Sequence, residues 1–305
     1  MKVLIVCSGN HKVLSPFIKE QADSLMNYDI EINFYIIKGK GMSGYLKNFP
    51  RLKRKISSYK PDIIHAHYGL SGFLAVLQRK VPVVITYHGS DIYNKIPRFF
   101  SILATKLSAQ NIFVSKEIAK ISRTKEFYVI PCGIDLRIFS ETNRSEARKS
   151  MNLDFDKKYI LFSSSFHNLV KNYTLAKKAI QFFNNPDLIL LELNGYSRKE
   201  VSLLLNVADL ALVTSFTEGS PQFIKEAMAC NCPIVSTNVG DVKEVIGNVN
   251  GCYICSYEPS DVSVKIKQAI LFGKRTEGRK KIIEGKMDSD SVAKAIIEIY
   301  KKTLK

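Results

Sequence analysis

Short apolar runs rich in branched side chains alternate with segments of helical periodicity along the whole chain. Such runs predict strands buried on both faces, and their alternation with helices predicts parallel sheets built from strand-helix-strand units. The runs form two series: KVLIVC, EINFYII, DIIHAH, VPVVITY, QNIFVS and FYVIP, followed by YILFSS, LILLEL, DLALVTS, PIVST and GCYIC. Helices are predicted from Ser15, over Tyr45–Tyr59 and from Gly69 in the first series, and over Thr174–Phe183, from Arg198 and after Pro221 in the second.

The stretch between the two series, Gly133–Lys158, is polar and irregular, as a linker is. A chain of 305 residues with 46% hydrophobic content can fill two cores. We therefore expect a first domain over 1–140, a linker over 141–158, a second domain over 159–286 and a final helix over 287–305. The apolar face of that helix has to be buried, and one place where it could pack is the surface of the first domain.

The formal net charge of +17 is distributed unevenly. Residues 1–140 hold 21 Lys and Arg against 9 Asp and Glu, and this surplus of 12 leaves 5 for the rest of the chain. A field of this sign suits nucleic acid, an acidic membrane surface or a phosphate-bearing substrate; a basic surface without a partner is the alternative. Aromatic side chains are not interleaved with Lys and Arg as stacking platforms would be, so we predict no nucleic-acid partner.

No stretch reaches the roughly 18 consecutive apolar residues that a membrane-spanning helix needs. The sequence runs from Met1 into an apolar strand pattern without a signal-peptide cleavage region, so we expect a cytoplasmic protein. The basic and apolar mixture of Lys47–Lys60 suits contact with anionic lipid, and a solvated helix explains it equally well. Peripheral association with the inner face of the plasma membrane is therefore left open.

Several patterns resemble metal sites without completing one. Six cysteines are too sparse for a disulfide framework, so we expect reduced, mostly buried thiols; the CxxC at 252–255 lacks a second pair at zinc-site spacing. The Asp-x-Asp pairs at 154–156 and 288–290 fall in a linker and at a helix start, where turn and cap roles explain them. His65 and His67 share one face of a strand, but a third ligand is not evident. We predict no metal and no cofactor.

Gly39, Gly41 and Gly44 spell GxGxxG, the dinucleotide-binding pattern. The motif follows the second strand of its domain rather than the first, and no acidic residue ends the next strand. We interpret the segment as a flexible loop.

The strongest chemical signal is the segment SFTEGSPQFIKEAMACNCP after the apolar strand DLALVTS. A strand, a Gly-containing turn and a helix opening near Pro221 place backbone N–H groups and a positive dipole end at the carboxyl edge of the sheet, which is an anion site. Glu218 precedes the helix and Glu226 lies on the order of 8 Å deeper, at 1.5 Å per residue. One carboxylate can face a sugar and phosphates while the other accepts hydrogen bonds from ribose hydroxyls.

This segment resembles the family 4 glycosyltransferases, which have two Rossmann-like domains in the arrangement called GT-B. The resemblance is carried by EGSPQFIKEAMACNCPIVSTNVGDVKEVI, by VKN at 170–172, by IPCGID at 130–135 and by TYHGSDIY at 86–93. It covers most of the chain and is closest, in the second half, to a short subgroup of bacterial polysaccharide and cell-envelope transferases. It implies an α/β fold of two doubly wound parallel-sheet domains that face a central cleft.

The resemblance also implies roles for individual residues. Glu226 is similar to the family's ribose-binding glutamate, and the implied catalytic residues are Glu218 beside the donor sugar, Lys171 against the leaving diphosphate and His88 at the transferred sugar. The implied donor-binding set is completed by Gly219, Ser220, Gln222 and Phe223, through backbone N–H groups, and by Asn194 and Gly195 in a base-contacting loop. The implied acceptor side holds Gly9, Asn10 and Asp91, with Asp91 fixing the loop of His88.

One basic position of the family pattern is missing. Relatives carry a second basic residue a few positions before the lysine, whereas SSSFHNLV precedes Lys171 here and leaves only His167 for that role. The Gly-rich turn after the first strand is reduced to Ser8, Gly9 and Asn10, so we expect acceptor recognition to differ.

The activity that the resemblance implies is retaining, metal-independent transfer of a sugar from a UDP- or GDP-sugar to a glycan or lipid-linked acceptor in bacterial polysaccharide or cell-envelope biosynthesis. A sugar-nucleotide epimerase or sugar phosphorylase of the same architecture is the alternative. A basic nucleic-acid-binding protein is a further alternative, suggested only by the net charge.

Overall fold

The computed structural model describes residues 1–9 and 14–305. The chain forms two compact units, of which the first is Met1–Gly133 with Ser289–Lys305 and the second is Ile134–Asp288. Each unit is an α/β domain built on a parallel sheet, as the alternating pattern predicts. The predicted Asn10 lies outside the described residues.

The strands closely follow the apolar runs of the sequence. Within the described residues they are β1 Lys2–Ser8, β2 Glu31–Ile37, β3 Ile63–His67, β4 Val83–Tyr87, β5 Gln110–Phe113, β6 Tyr128–Val129, β7 Lys158–Phe162, β8 Leu188–Leu191, β9 Leu210–Val213, β10 Ile234–Thr237 and β11 Cys252–Cys255. The sheet orders are β2-β1-β3-β4-β5-β6 and β11-β10-β9-β7-β8, with every pairing parallel. The winding direction reverses between β1 and β3 and between β7 and β9, and ligands of doubly wound sheets bind outside the carboxyl ends of strands at such points.

Helices connect the strands and cover the sheets. In the same residues they are α1 Pro16–Met26, α2 Gly41–Leu46, α3 Phe49–Tyr59, α4 Gly69–Val76, α5 Ser90–Tyr93, α6 Lys95–Leu107, α7 Lys116–Ser122, α8 Arg144–Ser150, α9 Tyr173–Gln181, α10 Arg198–Val207, α11 Gln222–Ala229, α12 Val242–Ile246, α13 Pro259–Phe272, α14 Gly278–Glu284 and α15 Ser289–Leu304, with a 3-10 turn at Leu169–Lys171. None of these helices combines the length and the apolarity that crossing a bilayer requires.

The last helix, α15, is part of the first unit, where it packs against α1. Its apolar face is buried in the same core as strand residues of β1 and β4, and that face includes Val292, Ile296, Ile299 and Tyr300. The chain therefore leaves the first unit once and returns to it at its end.

The segment expected as a linker, 141–158, is folded into the second unit. Ile134 and Phe139 are fully buried in that unit's core, and α8 packs against α10. The division of the chain falls at Gly133–Ile134 instead. The segment resembled a linker because most of the polar side chains of α8 face solvent, while the helix itself packs against the second unit.

Two smaller predictions have different outcomes. The flexible-loop interpretation of the glycine motif was wrong for its second half, because Gly41 and Gly44 lie in α2 and a Cβ on Gly39 would lie 3.0 Å from the Gly44 Cα atom. The expectation of mostly buried thiols is confirmed, since five of the six cysteines are buried and Cys252 is partly exposed.

Candidate functional site

The loops that follow β7 and β9 meet at the switch point of the second sheet. Lys171 ends the 3-10 turn after β7, and Glu218 lies in the turn after β9. The Lys171 Nζ donates to Glu218 Oε1 at 2.6 Å, and Ser215 Oγ donates to the same oxygen at 2.8 Å. The structure thus brings two of the predicted catalytic residues into direct contact.

Hydrogen bonds between the two loops hold this contact in place. Phe216 N–H donates to the Val170 carbonyl at 2.9 Å, and Thr214 Oγ1 donates to the carbonyl of Lys171 at 2.9 Å. The positions of the ammonium and the carboxylate are therefore set by the backbone as well as by their mutual attraction.

Glu226 lies inside α11 and pairs with a residue that sequence reasoning did not single out. Arg198, the first residue of α10, donates from NH1 to Glu226 Oε1 at 2.6 Å, and the Glu226 side chain is 4% exposed. The Arg198 guanidinium also lies over the ring of Phe139, 4.6 Å from its centroid. The available signal was position, because Arg198 lies three residues after Gly195 of the predicted base-contacting loop.

The turn before α11 contains the predicted phosphate-contacting residues. Gly219 and Ser220 precede Pro221, which is the N-cap of α11, and Gln222 begins the helix. The side chain of Phe223 is buried in the core of the second unit, so this residue offers a ligand its backbone rather than its ring.

Asn194, Gly195 and His167 are exposed on the same unit. Asn194 and Gly195 follow β8, and Gly195 has φ +80°. His167 lies near Glu192, whose pKa is lowered first by the backbone N–H of Phe166 and additionally by His167. The imidazole is thus placed beside a carboxylate, where it remains the predicted substitute for the missing basic residue.

In the first unit, Asp91 organises the loop after β4. Its Oδ1 accepts the backbone N–H groups of His88 at 3.1 Å and Gly89 at 2.8 Å, and its Oδ2 accepts that of Gly69 at 2.9 Å. Burial raises the pKa of Asp91 to about 6, and these N–H groups oppose the rise. The role of a loop anchor fits this geometry.

The ring of His88 is oriented from several sides. Its Nε2 lies 3.0 Å from Nδ1 of His67, its Nδ1 lies 3.7 Å from Cys132 Sγ, and Tyr68 and Phe17 pack against its faces. Contact with a transferred sugar stays a prediction, and the ring that would make it is held in a defined orientation.

His65 and His67 are fully buried behind that ring. His65 contacts the Tyr300 hydroxyl through Nδ1 at 2.6 Å and Thr86 Oγ1 through Nε2 at 2.8 Å. Burial lowers the pKa of His65 to about 3 and that of His67 well below its ordinary value. Over residues 1–9 and 14–305, no three His, Cys, Asp or Glu side chains are grouped to hold a metal ion.

A cavity of about 310 Å³ opens at the carboxyl ends of the first sheet's strands. Its lining is mostly hydroxyl, amide and apolar groups, from Ser8, Ser15, Tyr45, Tyr68, Leu70, Ser90, Asp91, Asn94 and Pro97. Gly9 follows Ser8, one of these lining residues, in the sequence. Its N–H donates to the Ile37 carbonyl at 2.8 Å, and a Cβ on Gly9 would lie 2.3 Å from Ile36 Cγ2. The contribution of Gly9 is therefore close packing.

The chain thus combines two doubly wound α/β units, and the second unit places two ion pairs, Lys171–Glu218 and Arg198–Glu226, around α11 at the carboxyl ends of its strands, where ligands of such sheets bind. The sequence profile of Glycosyltransferase Family 4 matches residues 5–138, and that of Glycosyl transferases group 1 matches residues 188–271. Both profiles are those of glycosyltransferases and together they cover most of the chain, so the resemblance to the family 4 glycosyltransferases is confirmed.

Similar proteins agree with this assignment. TuaC of Bacillus subtilis, provisionally named a teichuronic acid biosynthesis glycosyltransferase, is 26% identical over 61% of this chain and 56% of its own. The solved sucrose-phosphate synthase of Thermosynechococcus elongatus has a TM-score of 0.84 at 14% identity, covering 99% of both chains. Anabaena HepE, solved with UDP and glucose, has a TM-score of 0.76 at 15% identity, covering 99% of this chain and 100% of its own. These likenesses confirm the GT-B fold class, and the chain spans 56% to 73% of the length of the first three curated relatives that it matches.

Proposed function

We propose that the protein is a retaining glycosyltransferase that moves a sugar from a nucleotide-sugar donor to a glycan or lipid-linked acceptor in bacterial polysaccharide or cell-envelope biosynthesis. The contact between Lys171 and Glu218 at the switch point of the second sheet carries the proposal. Transfer of a sugar from a nucleoside diphosphate needs a cation beside the leaving phosphates and a carboxylate near the positive charge that develops on the sugar. The name of TuaC and the UDP and glucose bound by HepE support a nucleotide-sugar donor, either a UDP- or a GDP-sugar.

Lys171 stabilises the leaving diphosphate in this proposal. An ammonium has three donors, so Lys171 can keep its hydrogen bond to Glu218 and donate to a phosphate oxygen at the same time. The first N–H groups of α11 have no acceptor within the helix, and they add the positive end of the helix dipole. This local positive charge supports a reaction that uses neither a metal ion nor an organic cofactor.

Glu226 accepts hydrogen bonds from the ribose hydroxyls. Its carboxylate is nearly buried and is held by Arg198, so it presents a fixed acceptor. Asn194 and Gly195, four and three residues before Arg198, are placed to contact the base.

The first unit receives the acceptor. Its cavity of about 310 Å³ is rich in hydroxyl groups, which suits a sugar ring, and Asp91 anchors the loop that carries His88. A lipid-linked acceptor would bring this cytoplasmic enzyme to the inner face of the plasma membrane, and the basic surface of residues 1–140 supports that location.

The test begins with a thermal-shift screen of UDP- and GDP-sugars, because a bound donor raises the melting temperature by mass action. The selected donor is then incubated alone and with cell-envelope glycans and lipids. A transferase releases nucleoside diphosphate in step with acceptor labelling and retains the anomeric configuration, whereas an epimerase converts the donor unaided and a phosphorylase requires inorganic phosphate. A screen in which no nucleotide sugar binds would refute the proposal.

A further inference from the structure

A lysine with no solvent exposure lies directly behind the turn that precedes α11. Lys225 is 0% exposed, which is rare because a buried ammonium loses its hydration and protein groups have to replace the water. It is the fourth residue of α11, and helix side chains lean toward the N-terminus. Its Nζ therefore reaches back to Ser220 and donates to Oγ at 2.9 Å.

Ser220 extends this contact to the loop after β10. Its Oγ donates to Oδ2 of Asp241 at 2.6 Å. Asp241 is nine-tenths buried, and its Oδ1 has no hydrogen-bond partner among the residues that the structure describes. Burial raises the pKa of Asp241 and the charge of Lys225 opposes that rise, so the two groups are electrostatically linked.

Gly240 holds the same turn through its backbone. It has φ +55°, and a Cβ there would lie 2.6 Å from the Gly219 carbonyl oxygen and 2.8 Å from that of Glu218, so a side chain is excluded. Both carbonyl oxygens therefore face Gly240. In a planar trans peptide the N–H points opposite to the C=O, so the N–H groups of Gly219 and Ser220 point away from Gly240.

We propose that Lys225 is a positioning residue for the donor's diphosphate, acting with Ser220 and Asp241 to hold the turn so that its N–H groups face the phosphates. The inference rests on the proposed function. Donors that are held in advance stabilise a developing charge without reorganisation. A turn fixed in this way takes over part of the role of the basic residue that is missing before Lys171.

The test compares wild type and Lys225→Met for calorimetric binding of UDP, uridine, GDP and guanosine. We expect Lys225→Met to lower the affinity for UDP or GDP, whichever wild type binds, by about tenfold to 100-fold. This is the scale for residues that orient ligand-binding groups. The matching nucleoside, which has no phosphate, should change by less than about twofold. Ser220→Ala should lower the affinity for the diphosphate by a similar factor. The double variant Ser220→Ala with Lys225→Met should lose less than about a further twofold in that affinity, because both residues act in one network.

Arg148→Met is the matched control. Arg148 is also a buried cation of the second unit, but it donates to the carbonyls of Phe155 and Lys157 and lies 3.5 Å from Asp209, which precedes β9 at the opposite ends of the strands. The Arg148→Met substitution should lower thermal stability without changing the ratio of the affinity for the diphosphate to the affinity for the nucleoside.

Each outcome decides the proposal. If wild type binds UDP or GDP and Lys225→Met keeps that affinity, the positioning role is wrong while the proposed function stands. If wild type binds none of the four compounds, both are wrong. Ser220→Ala, a small change at a half-buried residue, decides the question if Lys225→Met does not fold.

Discussion

At the residue scale, two carboxylates eight positions apart meet two different cations. Glu218 binds Lys171 with both side chains less than a fifth exposed, and Glu226 binds Arg198 at greater depth. In such surroundings the removal of one partner leaves a poorly solvated charge on the other. Substitutions here should therefore affect ligand binding and local stability together, and controls have to separate the two.

We expect Lys171→Ala and Glu226→Ala each to reduce sugar transfer at least about 100-fold, the scale for losing one preorganised charge-stabilising group. The measurement is kcat/KM with the donor that the thermal-shift screen selects. Lys177→Ala and Glu244→Ala, exposed residues of the same unit, serve as controls and should retain activity. Near-normal turnover of both Lys171→Ala and Glu226→Ala would contradict the site.

The buried carboxyl of Asp91 predicts a pH dependence of stability. Its folded-state pKa, about 6, lies above its ordinary value of 3.8, so its stabilising contribution is complete below about pH 4 and is lost as pH rises through about 6. Relative to Asp91→Asn, wild type should lose about 2 kcal/mol of unfolding free energy between pH 4 and pH 7. Urea unfolding followed by circular dichroism at several pH values measures the difference, and parallel curves for the two proteins would disprove the expectation.

The candidate site was predictable from sequence where its parts are local. Glu218, the turn and Glu226 lie within one strand-turn-helix segment, so their arrangement follows from helix geometry. The cations were harder, because the Lys171–Glu218 contact spans 47 positions and the Arg198–Glu226 contact spans 28. Such pairs depend on which strands are neighbours, and Lys171 was identified only through a family resemblance.

At the element scale, the distinction between local signals and long-range contacts also explains why the strands could be predicted from the sequence and the packing of α8 could not. Apolar runs predicted the strands because both faces of a parallel sheet are covered, which leaves a continuous apolar signal. α8 carries the opposite signal: it is mostly polar, and its packing depends on Arg144 and Arg148 reaching Asp209. A polar helix held by ion pairs to a distant carboxylate resembles a linker in the sequence.

The attachment of α15 to the first unit gives a prediction at this scale. Two tyrosine hydroxyls join α15 to the rest of the unit: buried Tyr300 contacts His65, and Tyr28, at the surface, contacts Asp290. Tyr300→Phe should lower the free energy of unfolding by about 1–3 kcal/mol, because it leaves a buried ring nitrogen of His65 without its partner. Tyr28→Phe, the matched control, should leave stability nearly unchanged because water replaces an exposed contact.

Urea unfolding monitored by circular dichroism compares the two variants. Equal effects would show that the Tyr300 hydroxyl contributes nothing special to the attachment. Donor binding, which we propose for the second unit, should be the same in both variants.

At the scale of the whole molecule, the positive charge is concentrated on the first unit, and α3 displays part of it. Leu52 and Ile56 of α3 are buried in the core, whereas Arg51, Lys53 and Arg54 are exposed. Leu52 and Ile56, part of the apolar component that made this segment look suited to contact with anionic lipid, are thus already used in packing. What α3 offers a partner is a charged surface, so any attraction to a membrane through it has to be electrostatic.

We therefore expect the protein to bind vesicles that contain anionic lipid, and to release them as salt rises from about 50 mM to about 500 mM. Replacing Arg51, Lys53 and Arg54 with Glu should weaken binding on the order of 100-fold or more, since each basic residue near the surface contributes about 1 kcal/mol. Replacing the exposed Lys267, Lys274 and Lys280 of the second unit with Glu changes the net charge equally and should have a much smaller effect. Co-sedimentation with anionic and zwitterionic vesicles measures the binding, and equal loss in the two triple variants would mean that net charge, rather than the α3 surface, governs it. Tighter binding to duplex DNA than to anionic vesicles at physiological salt would instead favour a nucleic-acid partner.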